Sequence, residues 1–167
     1  MSHEPQVLSA EVERITAVLG DIQARMRRAR EEDLPRLGRT ELTAVFVAQL
    51  LDNFYTAVET LFLRVSQYFE NRLSSERWHS NLIEKMTLQV NGVRTRVIRE
   101  DAARLLQELM RFRHFKRYYL ELDYDWAKLD FLLDIFDRVV PLLERDLREF
   151  KDFLASLCCC LLYTSDA

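Results

Sequence analysis

Hydrophobic side chains repeat every seven residues through the last third of this chain, and that repeat limits the folds open to it. Leu129, Phe136, Leu143 and Phe150 form one series, and Leu133, Val140, Leu147 and Leu154 form a second, offset by four. A sustained alternation of four and three places both series on one face of a helix. An antiparallel bundle seam accounts for it more simply than a coiled-coil dimer. Pro141 falls inside the pattern, and because the repeat survives on both sides it should kink this helix rather than end it. The 167 residues include only 3 Gly and 3 Pro, too few for the many tight turns of a sheet protein. The fold class expected is all-α, an antiparallel bundle of four to five long helices.

The other helices follow from spacing. Leu8, Val12, Ile15, Leu19, Ile22 and Met26 predict a first helix over about 7–30, closed by Arg25, Arg27, Arg28 and Arg30. Those cations suit the negative end of the helix dipole, and an RNA-facing patch is the minority alternative. Glu31 to Gly38, with Pro35, reads as a connector. A long second helix is expected over about 40–72, with Thr40 as N-cap and Val45, Phe46, Leu50, Phe54, Leu61 and Val65 as its apolar stripe. It carries Asn53-Phe54-Tyr55, with Glu59 one turn on. A shorter third helix is expected over 78–89, then a turn at Asn91-Gly92, with 93–98 too short and Arg-rich to support a hairpin. The fourth helix spans about 100–119, with Leu105, Leu109, Phe112 and Tyr119 on its core side. Leu106, Met110, Arg113 and Arg117 occupy the adjacent flank, while Arg111, His114 and Tyr118 point away from the core. An acidic connector leads to the last helix, over about 126–157.

Three segments result: 1–38, an N-terminal helix and connector; 39–157, the bundle; and 158–167, a tail. The three cysteines are consecutive, Cys158 to Cys160, which is no metal-ligand spacing and no disulfide framework. Residues 160–167 look like translated transposase-adapter sequence, so the tail is not expected to be native. The net charge of −3 argues against wholesale coating of nucleic acid. No secretory signal or membrane-length apolar run is visible, which predicts a cytoplasmic protein that does not enter a membrane. No Gly-rich phosphate loop, nucleophile triad or ligand pair suggests a cofactor or metal. His79, beside Trp78, reads more simply as packing than as a ligand.

The stretch Arg111-Phe112-Arg113-His114-Phe115-Lys116-Arg117-Tyr118-Tyr119 concentrates cations, an imidazole and phenols at one pole of the fourth helix. Cleaving RNA without a metal needs a base for the 2′-hydroxyl, cations for the charged transition state and an acid for the leaving oxygen. Helical neighbours three and four apart bring Arg113 to Arg117, and His114 to Arg111, Arg117 and Tyr118. The same cations could instead be paired with Glu121, Asp123 or other carboxylates.

Leu51 to Glu59, then Trp78-His79 with Leu82 and Met86, then Leu109 to Tyr119, then Glu121-Leu122-Asp123 with Trp126, resemble the HepT-like branch of the HEPN superfamily. The likeness covers roughly 41–154. It implies an antiparallel bundle that pairs as a homodimer. It also implies a metal-independent endoribonuclease toxin acting on RNA at a dimer-interface cleft, partnered by a minimal nucleotidyltransferase antitoxin. The family motif is Arg, four to six residues, then His, often followed by any residue and Tyr, the last being an acceptor for AMP. Arg113 matches the arginine, but Tyr118 stands at the histidine position and Leu120 at the tyrosine position. The residues assigned to catalysis are therefore Arg113 and Arg117 for the phosphate, with His114 or Tyr118 for the protons. Tyr118 and Tyr119 are the modification candidates. Two other readings stay open: a non-catalytic helical module that partners a nucleotidyltransferase, and a structural bundle.

Overall fold

The computed structural model describes residues 4–70, 78–118 and 124–163. It is all-α, with no strand among the described residues. Helix α1 spans Glu4–Arg28 and continues through a π-helical turn, Ala29–Asp33, into the single turn α2, Leu34–Leu37. Helix α3 is Glu41–Glu70, α4 is Trp78–Thr87, α5 is Glu100–Tyr118 and α6 is Trp126–Tyr163.

The expected connector at 31–38 is therefore helical, a correction with a simple cause. Pro35 follows the π-helical turn, where the Leu34 N–H donates to the Ala29 carbonyl and the backbone ladder changes spacing, so the chain stays helical through it. The stop comes at Gly38, whose φ of 75° suits a residue without a Cβ and whose N–H donates to the Leu34 carbonyl at 2.9 Å. Thr40 caps α3 as expected: its hydroxyl accepts from the Thr43 N–H at 3.3 Å, and Thr43 Oγ1 accepts from the Thr40 N–H at 2.9 Å.

One core joins all the long helices. The six stripe residues of α1 are each at most 7% exposed and pack chiefly on α3 and also on α6. The paired heptads of α6 point inward, Val140 alone among them being only partly buried. Phe54 of α3 meets Phe136 of α6 edge to face, 4.9 Å between centroids. Helix α6 runs unbroken past Pro141, which sits on the exposed side, where water can satisfy the carbonyl one turn back. It also continues beyond 157 as far as Tyr163. Phe46, placed on the apolar stripe of α3, is instead 45% exposed, because Ala44, Val47, Ala48 and Leu51 turn a neighbouring face inward.

Two buried charges hold the helix ends. Arg94, 3% exposed, donates to the carbonyls of Lys85 and Leu88, each at 2.9 Å, and so closes the end of α4. With Gly92 at φ 75°, this pins 90–94 into a tight turn with one isolated bridge, Val90 to Arg94, rather than a hairpin. Arg94→Met should cost about 2 kcal/mol in chemical denaturation, since those carbonyls lose a charged donor. At the other pole Asp146 of α6, 3% exposed, accepts from the Arg99 N–H at 2.8 Å and from its guanidinium at 2.5 Å. A side chain of α6 thereby caps the start of α5.

Candidate functional site

Helix α5 carries the basic-aromatic stretch at its C-terminal end and lies against α3 and α6. On α3, Asp52, Tyr55 and Glu59 fall at spacings of three and four and share the face turned to α5. Arg113 meets all three. Its Nη1 donates to Glu59 Oε2 in a close, buried ion pair. Its Nε lies 3.7 Å from Asp52 Oδ1, and its guanidinium carbon stands 5.6 Å from the centre of the Tyr55 ring. Arg113 and Glu59 are 8% and 7% exposed. One turn later Lys116 donates from Nζ to Asp52 Oδ2 at 2.9 Å and to Gln49 Oε1 at 2.6 Å.

Two cations of α5 thus face two carboxylates of α3, and the formal charges cancel. Arg113 points toward the neighbouring helix of its own chain. Among the described residues its carboxylate partners come from α3, more than fifty residues earlier; Glu121 and Asp123 lie outside the described residues. Burial pushes the Tyr55 hydroxyl well above its ordinary pKa; Glu59 adds to the rise and Arg113 opposes it. Tyr55 therefore holds its proton at neutral pH. Tyr124, whose ring packs 6.3 Å from Phe112, is raised by burial and by Asp52.

The remaining sequence-predicted residues are placed less closely. His114 is exposed on the outer side of α5. Arg111 is exposed as well and pairs with Glu108 one turn back along α5. Phe115, 37% exposed, lies under the ammonium of Lys128 at 4.1 Å. Arg117 and Tyr118 belong to the last turn of α5, with side chains outside the described set, and Tyr119 lies outside the described residues. The structure brings Arg113 together with Lys116, not with His114. Asp52, Glu59 and Lys116 stood in the stretches singled out from the sequence but were given no role there. The available signal was Asp52 and Glu59 seven apart on a largely apolar helix face, where buried carboxylates require a cationic partner.

A family model described as HepT-like protein matches residues 46–154, about two thirds of the chain. The chain belongs to the HepT-like family. No curated protein and no solved structure matches. The HepT-like span opens inside α3 and closes inside α6, so it contains both halves of the Arg113–Glu59 pair, while α1 precedes it. Its fold is the helical, toxin-like HEPN type. Pockets of about 430, 530 and 250 Å³ lie along the α1–α6 side of this HepT-like bundle, and α5 lines none of these three. Among the described residues no group of three or more His, Cys, Asp and Glu side chains could hold a metal, and no helix is long and apolar enough to cross a membrane.

Proposed function

We propose that this chain is the HepT-like component of a toxin–antitoxin pair. In this reading it works in the cytoplasm as a homodimer and binds a minimal nucleotidyltransferase rather than acting as an efficient ribonuclease. The burial of Arg113 against Glu59 carries the reading. A phosphate needs a cation it can reach, and this one already has a carboxylate in a site closed to water. The residue at the motif histidine position is Tyr118, and an ordinary phenol titrates near 10, too high for an effective base at neutral pH. A module of this kind needs only a surface for its partner and an acceptor hydroxyl, for which Tyr118 and Tyr119 are the candidates.

The ribonuclease reading remains the second one, favoured by the exposure of His114 on the last turns of α5. In it Arg113 and Arg117 hold the RNA phosphate, His114 or Tyr118 moves the protons, and two subunits form the cleft. Expression alone and co-expression with the adjacent gene product distinguish the two. The expected result is co-purification with the nucleotidyltransferase, an added nucleotide in the intact mass, and no loss of cellular RNA when the chain is expressed alone. Growth arrest with RNA degradation, abolished by His114→Ala in a protein that still melts like wild type, would establish the ribonuclease instead. Failure to co-purify would sink the pairing.

A further inference from the structure

A guanidinium presents the same fork of N–H donors to a carboxylate and to a phosphate, so either anion can occupy it. In this fold Glu59 has that place on Arg113, and the pair is almost fully out of water. Asp52 bridges outward from Arg113, at 3.7 Å, to Lys116, at 2.9 Å. This outer link is the wetter part of the network: the Lys116 and Asp52 side chains are 18% and 22% exposed, against 10% and 9% for Arg113 and Glu59. Were α5 to part from α3, water would reach the charges of Lys116 and Asp52 before those of Arg113 and Glu59.

We infer that Glu59 is an internal counter-anion in an autoinhibitory contact. It fills the phosphate position on Arg113, so the site is closed in the folded protomer and opens only when the last turns of α5 move off α3 at the Lys116–Asp52 latch. This rests on one premise of the second reading above, that Arg113 stands where a phosphate would bind. The ligand class is a phosphate-bearing one, from a mononucleotide or from the backbone of RNA.

The test uses the full chain and two probes, AMP and a short single-stranded RNA, with binding measured by calorimetry and folding checked by circular dichroism and melting. Glu59→Gln keeps the shape of the side chain and removes its charge. It should bind at least one probe about tenfold more tightly than wild type, the worth of one charge-assisted hydrogen bond. The gain should shrink as salt rises and vanish in the double variant Glu59→Gln with Arg113→Gln. A gain for AMP assigns the nucleotide, and a gain for RNA alone assigns the phosphodiester. Asp52→Asn removes the charge that links Lys116 to Arg113, leaving Lys116 on Gln49 and Arg113 on Glu59, and should give a smaller gain in the same direction. A folded Glu59→Gln protein with wild-type affinity for both probes would overturn the inference. So would Arg113-dependent binding already present in wild type. If Glu59→Gln does not fold, Asp52→Asn decides: a gain supports the latch, and no gain refutes it. None of these outcomes depends on whether the nucleotidyltransferase co-purifies, so the two proposals fail separately.

Discussion

Arg113→Ala should unfold about 4 kcal/mol more easily than wild type, a drop of roughly 10 °C in melting temperature for a chain of this size. The substitution strands Glu59, 7% exposed, without the guanidinium that neutralises it, and opens a gap beside Tyr55. The cost comes mainly from the orphaned carboxylate rather than from the attraction itself, because the pair was desolvated to form. A double variant, Arg113→Met with Glu59→Leu, should therefore recover most of the loss. If both variants lose the same stability, the pair is not the source. The result also bears on genetics: loss of a growth phenotype in Arg113→Ala would reflect unfolding as readily as lost chemistry, which makes His114→Ala the cleaner test of catalysis.

Asp146→Ala should be the second large effect, about 3 kcal/mol, again by chemical denaturation. Its carboxylate accepts from the Arg99 N–H, the Arg99 guanidinium and Arg145 Nε, the last at 2.9 Å. Arg99 keeps Glu149, at 2.7 Å, so one of its two carboxylate contacts survives the substitution. Amides in the first turn of α5 should lose hydrogen-exchange protection before the rest of the helix, and uniform loss along α5 would refute the capping role. Acid should act on the same corner. For Asp101, burial pushes the pKa up, but the Ala102 N–H and the Arg145 guanidinium outweigh it, and the net shift is downward. A carboxyl group lowered by folding contributes stability above its unfolded pKa, near 4, and that contribution is lost as pH falls through the folded value. Arg145→Ala should flatten this part of the acid profile.

The bundle could be read in advance because its information is local and periodic. The heptads of α6 and the stripe of α1 each state which side of a helix avoids water, and burial follows those stripes closely. Periodicity failed where the physics was not periodic. At 31–38, polar residues and a proline suggest a loop, yet the proline follows a π-helical turn and the chain stays helical to Gly38. At Phe46 the spacing fitted two adjacent faces, and only the partner helix selects between them.

The candidate site divides along the same line. That Arg113 lies on a flank next to the apolar row, and that the chain resembles the HepT-like family, could both be read from the residues. Whether that arginine faces a ligand or a helix of its own chain could not, because the answer is set by Glu59 and Asp52, more than fifty residues earlier. Side-chain pattern along one helix determines its buried face. The identity of the charge waiting there depends on the rotation and rise of a neighbouring helix, which only the packed core decides.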